Sequence, residues 1–231
     1  MSNLKEKIDS LLETIVSLKL ESANNVVSSV SSGEVKSLVN DFDNGSLRKL
    51  GENENLENYY DKGYIQELLN NIKNNPALSG REKAVNSALT LIQLAADKGV
   101  KLDYDYGGAH DGTVVTTDDV LRGVDCSTFA SFVINQGTTQ NVTSMTTATL
   151  QGKYAKYTTD YSNAKPGDLL NVNNGTNQHV EVIIENNPDE GYFITAEARS
   201  SSHGIELNKT SYNDCKNQGQ KVYDMDEVYD N

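Results

Sequence analysis

The chain has only two cysteines in 231 residues, Cys126 and Cys215, too few for a disulfide framework. It has only three histidines, His110, His179 and His203. No Cys, His and Glu spacing among them suggests a zinc site, so no metal or other cofactor is expected. Cations are scarce as well: 20 Lys and Arg against 33 Asp and Glu leave a formal net charge of −13. That balance argues against nucleic acid and against anionic membrane surfaces, both of which need clustered Lys and Arg. No run approaches the roughly 18 apolar residues of a membrane span. Residues 1–19 mix Lys5, Glu6, Lys7 and Asp9 into the apolar positions, a pattern unlike a secretory signal peptide. The expectation is a protein made without a cleaved signal. A Gly-rich phosphate loop, a Gly-x-Ser-x-Gly elbow and internal repeats are also missing.

What is present suffices for a real core: 36% of residues are hydrophobic and 23% charged. The length allows one large domain, or an ordinary domain with a small module. The first part reads as helical. Leu4, Ile8, Leu11, Leu12, Ile15 and Val16 form an amphipathic stripe, with Asn3 and Glu6 resembling a capping box. A second helix opens near Ser31 and carries Val35, Leu38, Val39 and Phe42. Residues 43–58 read as a polar loop, and Ile65, Leu68, Leu69 and Ile72 form a third stripe. A boundary is expected near Pro76, dividing a helical module at 1–78 from a domain at 79–231. The second part opens on a helix with a capping box at Ser79 and Glu82, closed by Gly99. Short β-like runs follow at 169–172, 180–184 and 192–196, with weaker ones at 204–207 and 221–223. Helix first and antiparallel strands afterwards is the order of an α+β domain.

The chemistry centres on Gly123-Val124-Asp125-Cys126-Ser127-Thr128-Phe129. Cys126 stands directly before an amphipathic segment with Phe129, Phe132, Val133 and Ile134, the first turn of a buried helix. Unpaired amides and the positive dipole end at a helix start favour a thiolate. Asp125 is placed to accept from those amides as N-cap. The segment reads as a nucleophile, or else as an inert core thiol or one half of a disulfide with Cys215.

A nucleophile needs a base. His179 opens the run His-Val-Glu-Val-Ile-Ile directly after an Asn/Gly-rich loop, where an imidazole can lie half-exposed at a cleft. Residues 186–191 read as a hairpin turn, and the returning strand brings Glu197 alongside His179. A carboxylate there would fix the imidazole tautomer and stabilise its charged form. Thr195 shares the face of Glu197 and is the alternative. His110 lies in a loop with no partner legible in sequence, His203 reads as solvent-exposed, and Cys215 as incidental.

Four elements occur in order: Tyr104-Asp105-Tyr106-Gly107-Gly108, GVDCSTF at 123–129, KPGDLL at 165–170, and His179-Val180-Glu181-Val182. Together they resemble the NlpC-type cysteine peptidases, papain-like bacterial enzymes that cut the peptide stems of peptidoglycan. The resemblance covers roughly residues 79–210. It implies Cys126 as nucleophile, His179 as base and Glu197 as third catalytic residue. It also implies that Tyr104, Asp125 and Ser127 bind the free amino end of the stem peptide or shape the site. Thr128 and Glu181 depart from the family pattern, both standing where glycine is usual.

The resemblance thus implies an α+β papain-like domain cleaving stem peptides, at the bond between a γ-D-glutamyl residue and a diamino acid. An amidase or transpeptidase, or a non-catalytic wall-binding protein retaining the fold, are the alternatives. The head at 1–78 is expected to serve export, docking or targeting, with export machinery, an immunity protein or a phage tail as partner classes. The expected place of action is the cell wall, after non-classical export or delivery by a phage or secretion system. Tyr223 and Glu227 match a short Tyr-x-x-x-acidic export pattern.

Overall fold

The computed structural model describes residues 32–51, 54–154 and 156–229. The amphipathic stripe at 4–16 lies outside them. The described chain is α+β. Helices α1 (Ser32–Asp43), α2 (Lys62–Lys73) and α3 (Gly80–Ala96) precede α4 (Thr117–Arg122), α5 (Cys126–Gly137) and α6 (Thr147–Lys153). Strands β1 (Arg48–Lys49) and β2 (Val100–Lys101) form a small parallel pair. The main sheet uses β3 (Tyr157–Thr158), β4 (Leu169–Asn173), β5 (Gln178–Asn187), β6 (Tyr192–Ser200), β7 (Gly204–Ser211) and β8 (Lys221–Tyr223). Its order is β3-β8-β4-β5-β6-β7, antiparallel throughout. Helix α7 (Tyr212–Gln218) follows β7, and α8 (Asp226–Tyr229) follows β8. No helix among the described residues is long and apolar enough to cross a membrane.

Alternation along the strands sorts side chains onto two faces. Val180, Val182 and Ile184 of β5, with Ile194, Ala196 and Ala198 of β6, join the main core beneath α5. Ile183 and Phe193 point the other way, into a smaller cluster with Tyr161, Leu170, Cys215 and Val222. His179, Glu181, Thr195 and Glu197 share the parity of this second face. The main core also takes in Val35, Phe42, Leu56, Ile65 and Leu69, so the apolar stripes of α1 and α2 bury against the same interior as α5.

The capping box at the start of α3 forms as expected, with Ser79 and Glu82 each satisfying the other's backbone. Beside it Arg81 contacts Asp168 at 2.8 Å, Asp226 at 2.6 Å and the Pro166 carbonyl at 2.9 Å. The Lys165–Asp168 turn is pinned to β5 as well: Gly167 donates to the Ile183 carbonyl at 2.7 Å, and Ile183 donates back to Asp168 at 2.9 Å. The Pro-Gly-Asp element therefore ties α3 to the strand that carries His179.

Several local readings change. The stretch 43–58 holds β1 and a short turn of helix at Leu56–Asn58, because residues 48 and 49 pair with β2, a partner that local composition does not reveal. Helices α4, α6 and α7 occupy ground read as strands and turns; each is short and begins at a side-chain cap, on Thr116, Thr146 and Ser211. Cys215 lies within α7 and is fully buried, where burial pushes its thiol up to about 12. Tyr223 sits in β8 and is 2% exposed, so the Tyr223/Glu227 pattern does not present its tyrosine to a receptor.

The helix bearing Cys126 is locked at its far end by backbone contact. A methyl on Gly137 would overlap the Gly80 carbonyl oxygen and meet the Tyr229 ring, and one on Gly80 would overlap the Gly137 carbonyl oxygen. Gly137→Ala is therefore expected to lower unfolding free energy by about 1–3 kcal/mol in chemical denaturation, as overpacking does. Gly152→Ala in α6, where an added methyl meets nothing within 4 Å, is expected to leave it unchanged or slightly raised.

Candidate active site

Cys126 is the first residue of α5 and Asp125 its N-cap. One carboxylate oxygen of Asp125 accepts from the amides of Ser127 and Thr128, both at 3.0 Å, and from the Ser127 hydroxyl at 2.9 Å. Thr128 closes the box by accepting from the Asp125 amide at 3.0 Å. Thr128 thus completes the cap where the resembled family has glycine. Burial would push the Asp125 carboxyl up, but the Thr128 amide, His110 and Ser127 hold it below the usual carboxylate range. The rest of α5 is buried along its length, which leaves the thiol little freedom to move.

The other Asp125 oxygen meets His110 Nε2 at 2.7 Å and the Gly107 amide at 3.3 Å. His110 Nε2 also lies 3.4 Å from the Ser127 hydroxyl. His110 was the histidine without a legible partner; it belongs to the rim of the site. The preceding residue, Ala109, has φ +60, the one described non-glycine in the left-handed region. Tyr104 pairs with Val124 in a parallel bridge that sets its ring beside the helix start. Burial, then the charges of Cys126 and Asp125, push its hydroxyl up to about 12.

His179 stands near the start of β5 with 24% of its side chain exposed. Its Nε2 hydrogen-bonds Glu197, and the Cys126 side chain lies beside the ring, close enough to shift its titration. Burial alone would lower the imidazole pKa. The Cys126 side chain, the hydrogen bond to Glu197, and the charges of Glu197 and Glu181 raise it to about 11. Glu197 is 2% exposed. Burial pushes its carboxyl up, yet His179, Arg199 and Asn208 hold it below the ordinary range. Three elements thus converge: the capped start of α5, the start of β5 and the far end of β6.

The register explains which β6 residue reaches His179. Val182 pairs with Ala196, so Glu197 falls in the row of Glu181 and reaches His179 along the diagonal. Thr195, the alternative third residue, donates instead to Glu181 at 2.7 Å. Glu181 is 4% exposed and also accepts from Thr210 at 3.2 Å and Gln220 at 2.6 Å. Burial and the neighbouring Glu197 charge push its carboxyl up. Glu197 pairs in turn with Glu206, completing a row of three buried glutamates. Glu206 is compensated by Lys101 and Arg199, both at 3.0 Å, and lies 3.2 Å from His203 Nδ1. His203, read as simply solvent-exposed, is a partly exposed partner of that carboxylate.

His179, Glu181 and Glu197 offer ligand atoms within 4.8 Å of one another. Each is already engaged: His179 and Glu197 with one another, Glu181 with two hydroxyls and an amide. These three residues also line a polar cavity of about 370 Å³ walled by Arg199, Asn208, Thr210 and Gln218.

The His179 shift has a sign that stability reads. A raised imidazole pKa stabilises the fold fully below the unfolded value, about 6.5, and that stability is lost as pH rises through about 11. Unfolding free energy measured between those limits is therefore expected to fall more steeply in the wild type than in His179→Gln. The Glu197 contribution runs oppositely, being present above the ordinary carboxylate range and lost as pH falls.

A search of curated proteins returned no match for the chain. The family model described as NlpC/P60 family matches residues 101–222, more than half the chain, and its span holds Tyr104, Cys126, His179 and Glu197. The chain belongs to the NlpC/P60 family, whose activity is that of cysteine peptidases and amidases acting on peptidoglycan.

Proposed function

We propose that the protein is a cysteine endopeptidase that hydrolyses the stem peptides of peptidoglycan, between a γ-D-glutamyl residue and a diamino acid. The observation that carries the reading is a cysteine at a capped helix start beside an imidazole that is hydrogen-bonded to a buried carboxylate. Together with family membership, it supports a reading with Cys126 as nucleophile, His179 as acid and base, and Glu197 as the group that orients and charges the imidazole.

In the proposed reaction His179 takes the proton of Cys126 as the sulfur attacks. The thiolate attacks the amide carbonyl, and the oxyanion is stabilised in part by the Cys126 backbone amide at the start of α5. His179 gives its proton to the leaving amine as the C–N bond breaks, leaving a thioester. It then takes a proton from water, which attacks the thioester and frees the acid and the thiolate. Tyr104, beside Cys126, and Asp125 with Ser127 are assigned to the amino end of the stem. An ammonium group reaching Asp125 would share its outer oxygen with His110. The net charge of −13 opposes adsorption to anionic wall polymers. Action at the wall is therefore assigned to the N-terminal module or to delivery after non-classical export.

Purified protein is expected to release peptides from wall sacculi, with Cys126→Ala and His179→Ala reduced by at least about a thousandfold and Glu197→Gln by roughly a hundredfold. Mass spectrometry of the products distinguishes this reading from an amidase, which frees intact stems, and from a transpeptidase, which joins them. Equal peptide release by wild type and Cys126→Ala, or release by neither, contradicts the assignment.

A further inference from the structure

We propose that Asn208 is a positioning residue of this site, its amide clamping the Glu197 carboxylate in the orientation that holds His179 against Cys126. The inference rests on the cysteine-peptidase reading above. Asn208 Nδ2 donates to Glu197 Oε1 at 2.8 Å, while the second oxygen of that carboxylate takes His179 Nε2. A carboxylate on a flexible three-bond stem that is held at one oxygen can still swing about it. Held at both, it cannot, and the imidazole plane is fixed with it. The same amide nitrogen reaches the Thr210 hydroxyl at 3.3 Å, and that hydroxyl donates to Glu181. Asn208 therefore stands between two carboxylates that share a cross-strand row, and it is the neutral donor between them.

Neutrality is the point of the residue type. The titratable groups around this amide on the cavity wall are His179, Glu181, Glu197, Arg199, Lys209 and Asp214. Arg199 is turned toward Glu206 and Lys209 lies 3.9 Å from the Tyr192 ring centroid, so neither supplies a hydrogen bond to Glu197 Oε1. An aspartate in place of Asn208 would keep the shape while replacing the donor with a further negative charge. Asn208 belongs to β7, on the far side of Glu197 from His179 and Cys126, so it acts on the reaction only through Glu197.

The test uses the full chain with a γ-D-glutamyl–diamino acid stem peptide, and alkylation of Cys126 by iodoacetamide, which needs no substrate. Asn208→Ala is expected to lower kcat about tenfold with KM within twofold, to slow Cys126 alkylation at pH 7, and to add no further loss in a Glu197→Ala background. If Asn208→Ala folds poorly, the isosteric Asn208→Asp decides. It is expected to be impaired most above neutral pH and to recover part of its activity in acid, where the new carboxyl carries a donor proton. The inference is overturned if Asn208→Ala retains wild-type kcat and alkylation rate, if its loss persists undiminished without Glu197, or if Asn208→Asp matches wild type across pH. A wild type that cleaves no stem peptide overturns the proposed function instead, and alkylation of the same variants still decides the role of Asn208.

Discussion

The hydrogen bond between His179 and Glu197 is the interaction to which the rest of the site is fitted. Burying a carboxylate is costly unless its oxygens are both occupied and an opposite charge lies close. Glu197 meets both conditions, with His179 on one oxygen and Asn208 on the other. The cost would be greater still without care for its neighbours, since the sheet register sets Glu181 and Glu206 in the same row. Each of the three finds its own donors: hydroxyls and an amide for Glu181, cations for Glu206, an imidazole and an amide for Glu197. That partition lets one carboxylate act on His179 while its neighbours stay bound elsewhere.

The thiol side is built on a different principle. Asp125 gathers the free amides at the start of α5 onto one oxygen and turns the other outward to His110 and Gly107. Burial of α5 fixes the helix, and the Gly80–Gly137 contact fixes its far end against α3. Arg81 then carries the constraint from α3 to Asp168 and the turn pinned on β5. Cys126 and His179, far apart in sequence, are thereby held on two elements that one arginine and one glycine contact join.

Much of this was legible in the chain. The apolar periods of α1 to α3, the box at Ser79, Asp125 before Cys126 and the run opening at His179 are local patterns, and local patterns survive folding. The separation of Glu197 from Thr195 was not legible, because both share a strand face and only the register decides which reaches the imidazole. The same holds for Glu181: its position opposite Glu197, with Thr195, Thr210 and Gln220 converging from three other segments, is a tertiary fact. His110 lies fifteen residues before Asp125 in a glycine-bearing loop whose path composition does not give. Helix α7 was missed for a simpler reason, its seven residues offering no apolar stripe to read beyond Tyr212 and Cys215.

The account stands on the charge carried by His179. The most direct test is NMR titration of its ring nitrogens in the intact protein. The ring is expected to remain protonated well above the ordinary imidazole value of about 6.5, and to lose that protection in Cys126→Ala and in Glu197→Gln. A wild-type ring that deprotonates near 6.5 and is indifferent to both substitutions would contradict the account at its centre.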